Sequence, residues 1–552
     1  PREEQRGEQV RKTRAPARFT AESGGNPTVG GSVRLSRHTQ LSAAMYKHMR
    51  IGSASHQAAR FGSPIRAAAS HQAAAVVGAG PAGLLTAIML AQRGWTDVSV
   101  FDARAAPPLP EDQLWGDGER SYQLGLNGRG QAALREFGAM ERVSRFSATV
   151  NGRLSFNAEG KPVESRLKPP GTPGAEKTYV TRVLQRDRLQ ACLLAEVRER
   201  YPQVDVQFGV GCSGVDLSGE RPLLELCSPP AADGVEDEAE EECDPDGRTE
   251  AFDLVVGADG VRSAVRESLS ADESTSTRTV RYADKNERRY KTLPLHPSAV
   301  PGTAADLNWG CRNGTLDLGM DALPTKEGEM VAVLLVKPSS PAYGAMEGLS
   351  TGAEARAFLS SALPPLEPYL RDDDLDRFVQ RPVARLPKFM LVEGQIHASL
   401  PKGGVVLLGD AIKAVKPYFG QGANSALEDV SVLAKCLGEC GDDPAAAAAS
   451  FDEARAEQAR ALVRTSRSFD GRGPLGTARF LVPLLLDIQL NKLLPRVFSP
   501  PMLRGLQDER NTFVGLRRTK RRERAVLLGL LAGMAAAARA VGGFVLRRSA
   551  GV

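Results

Sequence analysis

Ala73-Ala-Ala-Val-Val77, then Gly78-Ala-Gly80-Pro81-Ala82-Gly83, then Leu84-Leu-Thr-Ala-Ile-Met-Leu-Ala-Gln-Arg93 is the stretch whose reading decides the fold. The first five residues read as a short buried strand, the last ten as a helix, and the glycines between them stand at GxGxxG spacing. Gly78 permits a tight turn, Gly80 lets backbone approach a pyrophosphate, and Gly83 lets helix and sheet pack closely. The helix N-terminus then faces the phosphates with free amides and the positive end of its dipole. Further on, Val98-Ser-Val-Phe-Asp102 reads as a second strand ending in an acid, at the offset where a carboxylate meets a ribose diol. An α/β dinucleotide-binding fold follows, with Gly78, Gly80, Pro81, Ala82, Gly83, Asp102 and Arg104 as expected cofactor contacts.

This motif alone does not separate FAD from NAD. Two later segments do. Phe252-Asp-Leu-Val-Val-Gly257-Ala-Asp259-Gly260-Val-Arg262 is a strand running into a polar glycine turn, and Leu407-Leu-Gly409-Asp410-Ala411 is another. The second is followed by Pro417-Tyr-Phe419-Gly420-Gln-Gly422-Ala423-Asn424. A flavin needs a carboxylate near its ribityl chain, for which Asp410 is expected. It also needs amides at a helix start to hold the charge that develops on the reduced ring, which Gly420 to Asn424 can supply. FAD is therefore the expected cofactor, and no second GxGxxG of the same quality offers a stable NAD(P)H site.

At these residues the chain resembles the class A FAD-dependent aromatic hydroxylases, and within them the kynurenine 3-monooxygenases. The resemblance runs from about Val76 to the C-terminus and includes Arg120-Ser-Tyr-Gln-Leu-Gly-Leu-Asn-Gly-Arg129-Gly130, Met320-Asp-Ala-Leu-Pro324 and Pro417 to Asn424. It implies a Rossmann-like FAD domain of the glutathione-reductase and para-hydroxybenzoate-hydroxylase type. This domain is interleaved with a mostly antiparallel substrate sheet and followed by a helical C-terminal tail. It also implies NAD(P)H and O2 as co-substrates, a small aromatic acid such as kynurenine as substrate, and oxygen transfer through a C4a-hydroperoxyflavin.

Carried over residue by residue, the resemblance makes Arg153 the grip on the substrate carboxylate, a role that suits a bidentate guanidinium. It puts Pro417 beside the oxygen pocket, Gly422, Ala423 and Asn424 at the flavin pyrimidine edge, and Phe419 and Asn424 near substrate. Arg129 and Arg186 would help retain FAD, with Asp259, Gly260 and Gly409. Two tyrosines that assist the arginine in the family are absent, their positions falling near Leu167 and at Phe451. Ile412-Lys413 also departs from the family's usual Ala-His.

The formal charge of +5 is unevenly spread. Residues 1–70 hold 12 Lys/Arg and 4 Asp/Glu, residues 517–552 hold 9 and 1, and the body between is acidic, which excludes a broad nucleic-acid surface. From Ser23 to Thr96 no acid occurs, while Arg, Ser and Ala recur, a composition expected of an organellar transit peptide for plastid or mitochondrion. The seven cysteines show no metal spacing and read as reduced structural thiols, so no metal is expected. Ala525 to Leu546 is apolar but for Arg539, with Arg517, Arg518, Lys520, Arg521, Arg522 and Arg524 before it, and membrane contact through this tail is an expectation.

The expected organisation is a basic arm at 1–70, FAD-domain parts at 71–155, 186–290 and 401–470, substrate-domain parts at 156–185 and 291–400, an acidic loop at 229–250, and a helical region at 471–552. Two other readings compete with hydroxylation. One is a flavin-dependent epoxidase or reductase of an isoprenoid lipid, suggested by the missing tyrosines and apolar tail. The other is an FAD-stabilised, non-enzymatic organellar interaction protein, suggested by the acidic insert and Ile412-Lys413.

Overall fold

The computed structural model describes residues 72–112, 122–228 and 244–549, apart from residues 158, 174, 176, 285 and 472. The basic arm and the centre of the acidic insert lie outside these residues, and so does the transit-peptide expectation.

Central strands rich in Ala, Val and Leu, with both faces buried, build a parallel sheet. Its six strands run in the order His397–Leu400, Gly403–Leu407, Leu254–Gly257, Ala73–Val77, Asp97–Asp102 and Val204–Phe208, with only His397–Leu400 antiparallel to its neighbour. Helix Pro81–Arg93 packs on it through Leu84, Leu85, Ile88 and Met89, all fully buried. The register pairs Val77 with Gly257 and Gly257 with Leu407. Three strands therefore end at one level, and the turns beginning at Gly78, Ala258 and Leu408 stand side by side along the carboxyl edge, where open α/β sheets bind ligands.

The second sheet has seven strands, in the order Ala384–Arg385, Arg289–Leu295, Met330–Val336, Leu318–Pro324, Asn308–Asn313, Gly152–Phe156 and Pro162–Arg166, all antiparallel except where Asn308–Asn313 meets Gly152–Phe156. Period-2 alternation gives it one apolar face: Leu293, Met320, Ala332, Leu334 and Trp309 are buried against helices Pro341–Glu347, Gly352–Ala362 and Asp372–Gln380. The opposite face, with Tyr290, Thr292, Leu323, Val333 and Leu335, stays half-open.

The structure moves several expected boundaries. Gly152–Phe156 already belongs to the substrate sheet, the chain is back with the FAD domain at Thr181–Gln185, and His397–Leu400 is a strand of the parallel sheet. A domain crossing is set by which strand each segment pairs with, a property not local to the sequence. Residues 244–250, read as part of an acidic loop, form most of strand Asp244–Ala251 on Leu223–Ser228. Backbone pairing tolerates charged side chains on an exposed ribbon, so composition misled there. Cys192, Cys212, Cys311, Cys436 and Cys440 are free thiols as expected, but Cys227 is disulfide-bonded. Disulfide formation depends on Cα proximity in space, which spacing along the chain does not report.

Pro444 to Ala449 opens the long helix Pro444–Ser468, capped by Asp443 accepting from the Ala446 amide at 2.8 Å. Beyond it come helices Gly473–Leu493, Met502–Gln507 and Phe513–Ser549. No helix among the described residues is long and apolar enough to cross a membrane. Lys520, expected among the exposed basic residues, is instead buried, donating to Glu523 at 2.9 Å and to the Ser499 carbonyl at 3.1 Å.

Candidate active site

The glycine turn is built for close approach. Gly78 has φ +100°, and a Cβ there would lie 2.5 Å from the Ala258 carbonyl oxygen; one on Gly83 would lie 1.9 Å from the Gly78 carbonyl oxygen. Neither position accepts a side chain, so the turn stays flush with the Asp259-Gly260 loop. Helix Pro81–Arg93 has Gly80 as N-cap with no side-chain cap, which leaves its first amides for an anion. Asp102 is buried and oriented by two amides, Ala79 to Oδ2 at 2.8 Å and Arg104 to Oδ1 at 2.9 Å.

Arg186 begins helix Arg186–Arg200, and its guanidinium lies 3.6 Å from where a Gly80 Cβ would stand. Its amide donates to the Tyr122 carbonyl at 3.1 Å, but its guanidinium makes no hydrogen bond or ion pair with another described side chain, and the titratable groups it faces include Tyr122 and Asp410. An uncommitted cation above a phosphate-binding turn fits a pyrophosphate. Asp410 is open on its cleft side although protein surrounds the rest of it, and burial pushes its carboxyl above the usual range, with Lys413 and Arg186 opposing. Asp259 is likewise raised, first by burial, and its Oδ1 is buried without a hydrogen-bond partner among the described residues. An orphaned carboxylate oxygen, an open carboxylate, a spare arginine and an uncapped helix along one sheet edge fit FAD.

The cleft has members that sequence reading passed over. Tyr122 keeps 39% of its surface open while protein rings it, and its hydroxyl is pushed up by burial, with Arg186 opposing and Asp410 and Tyr290 adding. Tyr290 stands on the half-open face of the substrate sheet, so that face meets the cofactor cleft here. Next to Tyr122, both side-chain polar atoms of Gln123 are buried without partners among the described residues. No local pattern announces an unsatisfied amide; only the packed structure does.

Other expected residues fall elsewhere. Arg129 is buried and turned to the C-terminal helices, donating to Glu428 and to the carbonyls of Leu506 at 3.4 Å, Asp508 at 2.7 Å and Asn511, with Phe513 under its guanidinium at 4.5 Å. It holds the tail in place of FAD. Asn424 is also fully engaged with backbone: it donates to Gly125 at 2.8 Å and Gly420 at 2.6 Å and accepts from the Asn127 amide at 2.9 Å. Its side chain fixes the loop rather than facing a ligand. Pro417 and Gly420 are exposed at the cleft and Ala423 is half-buried, while helix Gly422–Glu439 starts without a side-chain cap. Phe419 stacks edge-on against Phe469, centroids 4.7 Å apart.

What positions Pro417 is its neighbour. Lys416 is buried, with Nζ 2.7 Å from Asp284, 2.8 Å from the Asn286 carbonyl and 3.1 Å from Asp470. The Ile412-Lys413 departure has a similar explanation. Ile412 is buried in the core, and Lys413 pairs with Asp429, which also accepts the Gly409 amide at 2.9 Å and the Arg455 guanidinium.

Arg153 lies on the half-open sheet face, but the protein already gives it a carboxylate: Nη2 is 2.9 Å from Asp321 Oδ1. Phe451 is wholly buried in the FAD-domain core, and Leu167 is half-buried beyond strand Pro162–Arg166, so neither supports this arginine.

The site defines a class: a dinucleotide cleft with an antiparallel sheet laid across it, as in flavin hydroxylases. Residues 71–287 and 382–466 match the family described as FAD binding domain. Kynurenine 3-monooxygenase of Salinispora arenicola is 30% identical, covering 77% of this chain and 86% of that protein. The namesake enzyme of Cryptococcus neoformans is also 30% identical, over 66% and 68%. The solved tetrameric 2-methyl-3-hydroxypyridine-5-carboxylic acid oxygenase shares the fold, with TM-score 0.52 and 22% identity over 78% of this chain and all of that one. The chain belongs to this FAD-binding family and is an FAD-dependent aromatic hydroxylase, a monooxygenase with NAD(P)H as co-substrate. When bound, FAD supplies the redox and oxygen chemistry; the glycine turn at Gly78–Gly83, Asp102, Arg186, Asp259 and Asp410 are the residues that would hold it.

Proposed function

We propose that the substrate is a small aromatic acid of the kynurenine type, hydroxylated on its ring. The reading rests on one observation above others: Arg153 stands on the sheet face that also carries Tyr290 to the cofactor cleft. Similarity to the kynurenine 3-monooxygenases supports it. The sheet's Leu323, Val333 and Leu335 offer a ring an apolar floor, and the guanidinium offers its carboxylate a partner at the rim. The test is NADPH consumption by the FAD-loaded protein with and without L-kynurenine, with product mass measured. Stimulated consumption with 3-hydroxykynurenine formed supports the reading; FAD bound with no stimulation by kynurenine or other aromatic amino acids rejects it.

We also propose an organellar location and contact of the C-terminal helices with an anionic membrane surface. Val526, Leu528, Leu530, Leu531 and Met534 of one helix and Leu475, Val482 and Leu485 of another are exposed, with exposed Arg518, Arg521, Arg522 and Arg524 nearby in sequence. Flotation with vesicles containing anionic lipid tests it, and recovery of all protein in the unbound fraction rejects it.

A further inference from the structure

The register of the substrate sheet places Arg153, Gly310, Arg312, Gly319, Asp321, Leu335 and Tyr290 on one face, because residues paired across strands share a face. Two glycines shape it. A Cβ on Gly310 would lie 2.1 Å from Arg153 Nη2, and one on Gly319 would lie 3.3 Å from Arg312 Nη1. Each arginine therefore lies flat across a glycine, and both reach the same carboxylate: Arg153 at 2.9 Å from Asp321 Oδ1, Arg312 at 3.5 Å from Oδ2. All three side chains keep open surface, 46%, 35% and 71% for Arg153, Asp321 and Arg312.

From Asp321 to Tyr290 the sheet spans two strand spacings and two residues, roughly 12 Å in the plane. Between them lie half-open Val333 and Leu335. An aromatic acid lying along this floor has its charged end at Asp321 and its ring toward the cofactor cleft.

Resting on the substrate reading above, we propose that Asp321 accepts the α-ammonium of the substrate while Arg153, with Arg312 beside it, takes the α-carboxylate. Arg153 and Arg312 outnumber Asp321 by one positive charge, so the pole accepts a carboxylate. A substrate without an amine, however, sets its carboxylate beside the open side of Asp321, whereas an α-amino acid turns its ammonium there and so separates the two anions. The pole thus selects zwitterionic aromatic amino acids over the same skeleton without its amine, a discrimination built from an attractive contact and a repulsive one. Asp321 is also chemically apart from its strand, where Met320, Ala322 and Leu323 are apolar.

The test compares L-kynurenine with 4-(2-aminophenyl)-4-oxobutanoate, which lacks only the α-amine, by titrating each into the FAD-loaded enzyme and following flavin absorbance. Wild type is expected to bind the amino acid at least about tenfold more tightly, as a charge-assisted contact warrants. In Asp321→Asn that preference shrinks to within about twofold because the des-amino acid binds better, and Asp321→Glu restores part of it. KM for kynurenine rises in Asp321→Asn while kcat changes little, as expected for a contact made equally in ground and transition states. Equal affinities in wild type, or an unchanged preference in Asp321→Asn, overturn the ammonium role and leave the hydroxylase reading intact. Silence from both ligands, with FAD bound, overturns the substrate reading and this inference together.

Discussion

Lys413 Nζ lies 2.6 Å from Asp429 Oδ2, and the same oxygen accepts the Gly409 amide at 2.9 Å, so a buried ion pair holds the turn that presents Asp410. Removing Lys413 leaves Asp429 to Arg455 and the Gly409 amide. Lys413→Met is expected to cost about 1.5–3 kcal/mol, the value of a hydrogen bond to a charged group, read as a lower urea midpoint with unchanged slope. Burial alone would raise the Asp429 carboxyl, but Arg455 and Lys413 outweigh it and hold it below the usual range. Its contribution to stability is therefore present above the unfolded value, about pH 3.9, and is lost as pH falls through the lower folded value. Urea midpoints measured below about pH 4 should fall less steeply in Asp429→Asn than in wild type.

Arg186 is the arginine expected to contact FAD directly. Arg186→Met should weaken FAD binding by about tenfold to a hundredfold, the value of one to two charge-assisted bonds. Circular dichroism should be unchanged, since no described partner of Arg186 is orphaned. Flavin fluorescence titration of apoprotein measures it, and wild-type affinity would remove Arg186 from the site.

Asp410 predicts a pH dependence of cofactor binding. Burial raises its carboxyl in the apoprotein, whereas ribityl hydroxyls donating to it favour the ionised form. Binding then releases a proton, so FAD affinity should rise as pH climbs through the raised value of Asp410, and Asp410→Asn should flatten the profile. A flat wild-type profile would contradict this role.

Arg129→Met tests the tail rather than the cofactor. The carbonyls of Leu506, Asp508 and Asn511 lose the guanidinium that ties them to the FAD domain, while half-buried Glu428 keeps Arg455; helices from Met502 onward should loosen, shown by faster proteolysis C-terminal to Leu506 and a stability loss of about 1.5–3 kcal/mol. A variant that loses FAD affinity with no change in proteolysis would return Arg129 to the cofactor site.

Much of the fold was legible before the structure. The strand-turn-helix at Ala73–Arg93 and the strand Met330–Val336 were readable because their signals are local: glycine spacing, apolar runs and period-2 alternation. The three turns, Gly78 to Gly83, Asp259-Gly260 and Gly409-Asp410, were readable for the same reason. Tyr122 and Gln123 were not, because a cleft residue on an ordinary strand is marked only by what surrounds it.

By itself the sequence determined that this chain binds a dinucleotide at the carboxyl edge of a parallel sheet, since glycines at those positions are demanded by backbone geometry alone. Tertiary structure decided which polar residues serve the ligand and which serve the protein. Arg129 and Arg186 are the same residue type and were assigned the same role, yet one is buried under carbonyls of the tail and the other stands over Gly80 with no side-chain partner among the described residues. Likewise Arg153 was legible as a carboxylate binder, but not that Asp321, 168 residues away, reaches it first. A charged side chain takes whichever partner packing brings within reach, and that distance is not written in sequence separation.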